Sequence, residues 1–211
     1  MCECFAQYQG LADYLRVLGA EQHLLDSAGN ERIGHPGIVP GNRVPILHDS
    51  GNGLRMSPRQ WGWTPRWAGK RQTASISAPL QNITASPPLH ALRPQTRALV
   101  MADGWYAWLA DAHAPQGKQR YFVRLKSQAP IFVAALAQVR AGLEPEEDDG
   151  FVIITHEHDP GDDTALPLVL APEHARAWIS SQRVAEQVQC LPPHAFEWIA
   201  VTDPDAHRGK A

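Results

Sequence analysis

The sequence predicts an α+β domain with a strongly bent or barrel-like β-sheet core and a few peripheral helices. Its 211 residues include 18 prolines and 16 glycines, which divide the chain into many short elements and favour strands over a helical bundle. Apolar, β-branched runs such as residues 130–137 and 151–155 have the composition of buried strands. Helical spacing is confined to short segments, as in residues 10–19. This mixture is typical of the α+β class.

The length predicts one domain, because 211 residues are enough to bury a sizeable core. We expect that domain to span residues 1–201 and the last ten residues, 202–211, to form a disordered tail. No run approaches the ~18 consecutive apolar residues of a membrane span, and the first twenty residues lack the pattern of a secretory signal. We therefore expect no membrane partner.

The first half of the chain predicts one helix and one hairpin. Apolar side chains at helical spacing place a helix within residues 10–19, and Gly19 is its expected end. Polar residues 26–36 are predicted to be a loop. A hairpin is expected to join strands 44–47 and 54–58, with Pro45 placing the first of them at a sheet edge or at a strand start.

The second half predicts mainly strands. Residues 68–96 are expected to form a long loop, and Asp103-Gly104 a tight turn or bulge between two strands. Residues 144–149 are acidic and are predicted to be a solvated loop. A helix is expected to begin at Pro172 and to run through Trp178. Strands are predicted at residues 98–102, 105–109, 121–125, 130–137, 151–155 and 196–201.

The N-terminus carries the most reactive chemistry that the sequence offers. If Met1 is removed, Cys2 presents a free α-amine and a thiol on adjacent carbons. The reference pKa values are near 7.7–8.0 for the amine and about 8.5 for the thiol, so both groups are reactive near neutral pH. Such a 1,2-aminothiol condenses with an aldehyde to a Schiff base and closes a thiazolidine ring. The alternative is that Cys2 belongs to a frayed terminus.

The cysteine count and the net charge restrict the cellular environment and the partners that we expect for this protein. Three cysteines, Cys2, Cys4 and Cys190, do not make a disulfide framework, which indicates a reducing cytoplasm. A net charge of −3 argues against gross non-specific attraction to nucleic acid, but it leaves a local basic groove possible. The expected location is therefore the cytoplasm.

Three tryptophans, Trp61, Trp63 and Trp67, lie within seven residues. They suit either a platform on which unpaired bases stack or an ordinary core, and packing is the commoner role of aromatic residues. Arg66 and Arg71 flank Trp67 and, with Lys70, suggest a strip that contacts phosphates. The alternative for each basic residue is solvated surface. Other cations that could line such a channel are Arg43, Arg93 and Arg97.

Several of these segments together resemble the SRAP family, the SOS-response-associated or abasic-site processing proteins. The resemblance covers almost the whole chain up to about Trp198, and its order and spacing are more specific than any single run. Its most specific stretch is Ala102-Asp103-Gly104-Trp105-Tyr106 with Trp108. The other carrying runs are Met1-Cys2, Phe5-Ala6-Gln7, Asp13-Tyr14-Leu15, Val39-Pro40-Gly41, Trp61-Gly62 with Pro65 and Trp67, Phe151–Thr155 and Pro167–Leu170.

The resemblance implies an SRAP-like fold and a specific covalent activity. Family members lose the initiator Met, which makes them peptidase-like toward their own N-terminus, and expose Cys2. That residue condenses with the aldehyde of an abasic site in single-stranded DNA or at a single-strand/double-strand junction. The implied product is a thiazolidine DNA–protein crosslink, made by a monomer without metal or organic cofactor. The implied catalytic positions are Cys2 and Asp163, and the implied DNA contacts are Pro40, Arg66, Trp67, Arg71, Ser77 and Thr155.

Departures from the family pattern fall on the residues that assist Cys2. Glu3 and Cys4 replace a glycine and a phosphate-binding arginine. The family's glutamate falls on Ala107, which carries no proton to give, and its asparagine falls on Ser77. The family's histidine falls on Asp163, although His158 could occupy that place.

Three functions follow from this pattern. The first is an abasic-site crosslinker that acts through Cys2, because an aminothiol and an aldehyde held close together condense without general acid–base help. The second is a catalytically impaired paralogue that binds single-stranded or junction DNA, or a partner protein. The third is a metal site built from Cys2, Cys4, His156, His158 and Asp159, whose spacing is a weak signal.

Overall fold

The computed structural model describes most of the chain. The described residues are 4–20, 22–28, 31–49, 53–65, 73–83, 97–111, 117–139, 149–156, 165–180 and 189–201. The helices are α1 (Leu11–Leu18), α2 (Gln22–Ala28) and α3 (Pro172–Ser180), with 3₁₀ turns at Leu80–Asn82 and Pro193–Ala195. The strands are β1 (Phe5–Gln7), β2 (His35–Ile38), β3 (Arg43–Asp49), β4 (Leu54–Trp61), β5 (Ser77–Pro79), β6 (Arg97–Ala102), β7 (Gly104–Ala110), β8 (Lys118–Leu125), β9 (Ile131–Ala137), β10 (Gly150–His156), β11 (Leu166–Pro167), β12 (Val169–Leu170) and β13 (Phe196–Ala200).

The larger sheet closes on itself. It runs β11-β10-β4-β3-β6-β9-β12, and β10 also pairs with β9, so that β10, β4, β3, β6 and β9 form a ring. Strand β10 makes this closure by pairing with β4 at Gly150–Phe151 and with β9 at Phe151–Ile153. Farther along, β10 pairs with β5 and β11. The predicted α+β class with a barrel-like core is confirmed.

The smaller sheet has the order β13-β8-β7-β1-β2. Its inner face, which carries Phe5, Trp105, Ala107 and Val123, packs against one side of the larger sheet. The other side of the larger sheet packs against the helices, with Tyr14, Leu15 and Leu18 of α1 and Trp178 of α3 at the centre. The protein therefore has three layers: helices, the closed sheet and the five-stranded sheet.

Strong periodicity predicted several elements correctly. Helix α1 covers Leu11–Leu18, and Gly19 ends it with a left-handed φ of 69°. Strand β9 is buried at all seven positions, as its continuous apolar run predicts. The hairpin of β3 and β4 is antiparallel from Arg43 to Asp49.

Pro45 does not place β3 at an edge. The strand lies inside the larger sheet, between β4 and β6. Proline is tolerated because Pro45 lies opposite Pro58 of β4, while the pairing with β6 covers only Ile46–His48. A residue without an N–H therefore falls outside the part of β3 that is paired on both sides.

Two predicted loops contain regular structure. Residues 26–36 include the end of α2 and the start of β2, and residues 68–96 include β5 and a 3₁₀ turn. Strand β5 has only three residues and is held by parallel pairing with β10, which its own sequence does not signal. In the acidic segment 144–149, Asp149 is buried rather than solvated.

The Asp103-Gly104 pair connects strands of two different sheets rather than two paired strands of one sheet. Strand β6 belongs to the larger sheet and β7 to the smaller one, so the chain crosses between layers at Asp103. The predicted tail, residues 202–211, lies outside the described residues. No helix in the described part of the chain is long and apolar enough to cross a membrane.

Candidate functional site

The N-terminal strand is fixed to the middle of the five-stranded sheet. Phe5 and Ala6 of β1 pair with Trp105 and Gly104 of β7, and β2 pairs on the other side. One residue earlier, the Cys4 carbonyl accepts a hydrogen bond from the Tyr106 N–H at 2.8 Å. The backbone is therefore held at the second residue after position 2.

Asp103 holds the segment that follows β1. Its Oδ2 accepts hydrogen bonds from the Tyr8 N–H at 2.6 Å and from the Tyr14 hydroxyl at 2.5 Å. Its Oδ1 accepts from Gln9 Nε2 at 2.6 Å. Burial, followed by the bond to Asp103, raises the pKa of Tyr14, so this hydroxyl stays a donor. One carboxylate thus ties β1, α1 and the β6–β7 crossing together.

Gly104 allows the close approach of β7 and β8. A Cβ at this position would lie 2.4 Å from the Val123 carbonyl oxygen and 2.7 Å from Phe122 Cζ. The first of these atoms belongs to the backbone and cannot move away without disturbing the sheet. The glycine is therefore required by packing against β8.

Trp61 joins the elements that carry the predicted site residues. It is fully buried, its ring centroid lies 5.0 Å from that of Phe5, and it stacks on Phe151 at 6.4 Å. Its Nε1 donates to the Ile76 carbonyl at 2.9 Å, next to Ser77. Its backbone carbonyl accepts from the Gly41 N–H at 2.8 Å, next to Pro40. Trp61 is thus part of the core, and its indole is unavailable for stacking on bases.

Pro40, Ser77 and Thr155 lie on segments near this core. Pro40 is in the turn before β3, where Gly41 has a φ of 95°. Ser77 of β5 is half-buried and lies opposite Ile153 of β10. Thr155 is buried, between its partners Pro79 and Pro167, and offers little surface to a ligand.

Position 107 lies on the inner face of β7. Ala107 is 5% exposed and belongs to the apolar cluster that also contains Phe5 and Trp61. The residue opposite it on β8 is Tyr121, whose ring contacts Trp198 edge-on at 6.1 Å. Side chains opposite each other in an antiparallel pair share one face of the sheet. Tyr121 therefore places a phenol beside position 107.

The outer face of the same sheet carries a mixed group of polar and aromatic side chains. We call it the outer cluster; it consists of Cys4, Tyr8, Tyr106, Arg120 and Phe122. The Arg120 guanidinium lies 4.1 Å above the Tyr106 ring and donates a hydrogen bond to the Cys4 thiol. Burial raises the pKa of Cys4, and the charge of Arg120 opposes that rise. Burial and a hydrogen bond with Tyr8 raise the pKa of Tyr106. Sequence reasoning missed Arg120, because nothing in its local sequence links it to position 4.

Comparison with known proteins gives the family. The sequence model of the SOS response associated peptidase (SRAP) family matches residues 1–204. The chain belongs to the SRAP family. It is 32% identical over 215 residues to the abasic site processing protein YedK of Escherichia coli (strain K12), covering 96% of this chain and 92% of that protein.

Solved structures agree with this assignment. A phage-related protein from Bordetella bronchiseptica is 28% identical, with a TM-score of 0.75 over 96% of this chain and 95% of its own. A protein from Bacteroides thetaiotaomicron, at 16% identity, shares the fold with a TM-score of 0.71 over 97% of this chain and 93% of its own. The SRAP fold is therefore retained at low sequence identity.

Five of the residues that the SRAP resemblance assigns to the site lie outside the described residues. They are Cys2, Arg66, Trp67, Arg71 and Asp163. Among the other basic candidates, Arg97 donates to the Trp178 carbonyl and stacks on the Trp178 ring at 4.9 Å. Arg97 thus helps to hold α3 in place, a role that neither alternative in the sequence analysis predicted.

The described part of the proposed metal set does not converge. Cys4 packs with Tyr106 on the outer face of the five-stranded sheet. His156 lines a cavity with Trp105, whose side chain lies on the opposite, inner face of that sheet. Cys4 and His156 therefore cannot share one ion. No group of three or more His, Cys, Asp or Glu side chains suited to a metal occurs among the described residues.

His156 has a different sulfur partner. Its Nε2 lies 3.1 Å from the Sγ of Cys190, which the chain brings back through a bridge between Cys190 and Leu170. The two residues are 34 positions apart, and no spacing rule joins them. Sequence reasoning therefore had no signal for this pair.

Proposed function

We propose that this protein senses abasic sites in single-stranded DNA, or at a single-strand/double-strand junction, and crosslinks to them through Cys2. Membership of the SRAP family and the similarity to an abasic site processing protein support the DNA lesion as substrate. The proposal places a single-domain monomer in the cytoplasm. The reaction needs the chain's own N-terminus and no metal or organic cofactor.

The proposed reaction has two stages. Hydrolysis of the Met1–Cys2 peptide bond first frees the α-amine of Cys2. The amine then attacks the aldehyde carbon of the ring-opened sugar and, with loss of one water, forms an imine. The Cys2 thiol adds to the imine carbon and its proton passes to the nitrogen, which closes a thiazolidine ring.

The observation that carries this proposal is the fixed position of the strand that follows Cys2. The Cys4 carbonyl is bonded to Tyr106, and Phe5 is packed on Trp61. Two residues of chain span at most about 7 Å, so the nucleophile at position 2 works within that reach of Cys4. A nucleophile held near its target gains several kcal/mol from proximity alone. A freely moving terminus would lose this advantage.

The surroundings of this strand supply charge and a hydroxyl. On the outer face of the sheet, Arg120 contacts the Cys4 thiol and offers a cation for a phosphate of the DNA that flanks the lesion. Tyr121, opposite Ala107, is the phenol that we propose as the proton donor in place of a carboxylic acid. A phenol is a weaker acid than a carboxylic acid near neutral pH, so we expect slow condensation.

The second candidate function is a binding module without covalent chemistry. It is favoured by Ala107, which fills the inner face of β7 with a methyl group inside an apolar cluster. A protein of this kind grips single-stranded or junction DNA, or a partner protein, without trapping the aldehyde. The two candidates differ in one product, the covalent adduct.

Intact-protein mass spectrometry distinguishes them. The purified protein is incubated with a single-stranded oligonucleotide that contains one abasic site, and with a matched oligonucleotide whose tetrahydrofuran analogue has no aldehyde. We expect loss of Met1 and an adduct equal to protein plus abasic oligonucleotide minus one water, with no adduct to the analogue.

Variants of two cysteines complete the test. Cys2→Ala should abolish the adduct, whereas Cys4→Ala, which removes a thiol two residues away, should retain it. An adduct that persists in Cys2→Ala would refute the proposed nucleophile. A processed wild type that binds both oligonucleotides equally and forms no adduct would establish the binding module instead.

A further inference from the structure

A small cavity lies between the two sheets, on the inner side of the five-stranded sheet. It has a volume of about 60 Å³, and its walls are mostly apolar. It reaches the surface beside Trp198 and Pro193, which are exposed. One water-sized probe needs about 10–15 Å³, so the cavity admits a group of only a few heavy atoms. The lining residues that matter here are Trp105, His156, Cys190 and Phe196.

A thiol and an imidazole meet in this cavity. The Sγ of Cys190 lies 3.1 Å from Nε2 of His156, and both residues line the cavity wall. Burial raises the pKa of the Cys190 thiol, and a backbone hydrogen bond from Val169 opposes that rise. In the tautomer that carries the ring proton on Nδ1, the Nε2 of His156 accepts a hydrogen bond from the Cys190 thiol.

A buried hydrogen-bond donor lies in the same wall. Trp105 is 2% exposed, and no described residue accepts a hydrogen bond from its Nε1. An unmet N–H in such a place costs free energy comparable to a lost hydrogen bond, which a bound acceptor would recover. Phe196 packs edge-on against Trp105 at 5.2 Å and fixes the indole. The cavity therefore combines a nucleophile, a proton carrier and a donor for an oxygen.

We propose that this cavity is a second covalent site, in which Cys190 adds reversibly to a small uncharged aldehyde. The sulfur forms a bond to the carbonyl carbon as the C=O π bond breaks. His156 takes the thiol proton at Nε2 and passes it to the new oxygen, which gives a thiohemiacetal. Trp105 Nε1–H donates to that oxygen. No atom leaves, and no oxidant or reductant takes part.

The size and the chemistry of the cavity select an aldehyde over an ester or an amide. Acyl transfer needs room for a leaving group beside the acyl group, and a cavity of about 60 Å³ provides little. Addition to an aldehyde releases no leaving group. The mostly apolar wall, with Leu166 and Pro167, disfavours a charged compound. The proposed addition uses the Cys190 thiol rather than Cys2 and does not depend on thiazolidine formation.

The test uses the full chain with Cys2→Ser, which removes the N-terminal aminothiol. Iodoacetamide labels the remaining thiols, and peptide mapping by mass spectrometry follows Cys190 and Cys4 separately. Cys4 is the internal control, because it is buried against Arg120 rather than an imidazole. We expect Cys190 to react at least tenfold faster than Cys4 and His156→Gln to slow Cys190 about a hundredfold, the lower range of general-base catalysis.

Unchanged labelling of Cys4 in His156→Gln shows that the variant is folded. Equal rates at the two cysteines, or no effect of His156→Gln, would overturn the proposal. If Cys4 becomes reactive in His156→Gln, the second readout decides. That readout is the sp³ carbon signal of [1-¹³C]propanal bound to the Cys2→Ser protein, which must disappear in Cys190→Ser.

Two sources of aldehyde are compared in the same assay. Propanal represents a free metabolite-sized aldehyde, and the single-stranded abasic oligonucleotide represents an aldehyde carried by DNA. Selective protection of Cys190 by propanal supports the small-molecule site, whereas protection by the oligonucleotide alone would contradict the size and charge limits of the cavity. Protection of Cys190 by neither, or of both cysteines alike, would contradict a covalent aldehyde site.

Discussion

Two positions four residues apart on the chain have very different surroundings. Asp103, at the crossing between the sheets, accepts three hydrogen bonds that fix the segment after β1. Ala107, on the inner face of β7, contributes only a methyl group to an apolar cluster. Asp103 fixes the N-terminal strand in place. At position 107, the SRAP resemblance leads us to expect a group that transfers protons. From this contrast we expect that the hydrogen bonds that fix β1 and the group at position 107 can change independently of each other.

Trp61 also holds the N-terminal strand in place, from the side of the larger sheet. Trp61 contacts Phe5 of β1 and hydrogen-bonds to Ile76, so that one buried side chain links the N-terminal strand to the β5 segment. Loss of such a residue would disturb the whole arrangement, whereas loss of a side chain at position 107 changes only local chemistry. We therefore expect this chain to keep the packing around β1, the frame of the site, and to crosslink slowly.

The largest expected loss of stability follows from Asp103→Ala. It leaves the Tyr8 N–H and the Tyr14 hydroxyl without their acceptor, and hydrogen bonds to a charged group are the strong ones. We expect the free energy of unfolding to fall by about 3 kcal/mol, measured by urea denaturation.

Asp13→Ala is the matched control, because the exposed Asp13–Arg16 ion pair should contribute no more than about 1 kcal/mol. Equal effects of the two substitutions would show that Asp103 does not anchor the frame, and the contrast with Ala107 would fail.

A smaller loss is expected from Trp61→Phe. The change leaves the Ile76 carbonyl without its indole donor and opens space beside Phe5 and Phe151. We expect a loss of about 2 kcal/mol in the free energy of unfolding. Trp108→Phe, at a position that is 46% exposed, should change stability by less than about 0.5 kcal/mol. A neutral Trp61→Phe would remove this residue from the frame.

The smallest expected effect is a dependence of stability on pH through His48. This side chain is buried, and its Nε2 is hydrogen-bonded to Ser57 Oγ at 2.7 Å. Burial lowers the pKa of His48 below its ordinary value near 6.5, so the unfolded chain binds this proton more readily than the folded one. The free energy of unfolding should therefore decrease as the pH falls below about 6.5.

Urea denaturation at pH 8 and pH 5 measures this decrease. His48→Gln should reduce it, and His35→Gln, at an exposed position, should leave it unchanged. Identical pH profiles for the wild type and His48→Gln would exclude this histidine as the cause. Since no step of the proposed condensation uses His48, the crosslinking rate should not follow the same profile.

Local patterns predicted the parts of the fold that depend on local physics. The helical spacing of α1 and the apolar run of β9 each depend on neighbouring residues. The family resemblance supplied the overall fold. The replacement of the family's glutamate by Ala107 stays a prediction of the resemblance.

The features that sequence could not predict all depend on contacts between distant residues. Pro45 is accommodated by Pro58 across the hairpin, and β5 exists because β10 offers an edge for parallel pairing. The contact between Arg120 and Cys4 and the contact between His156 and Cys190 each join residues from separate segments. No spacing rule within the sequence predicts these long-range contacts.

The measurement that tests the central claim most directly is the single-turnover rate of crosslinking to an abasic oligonucleotide for the wild type, Ala107→Glu and Ala107→Gln. Glu and Gln are alike in size, but only Glu can exchange a proton, and burial will raise its pKa toward the working range. If the frame is intact and only the proton donor has been replaced, Ala107→Glu should crosslink about a hundredfold faster than Ala107→Gln, with Cys2 still required. Equal rates for the two folded variants would contradict the proposal that the proton donor for the Cys2 condensation acts from beside position 107.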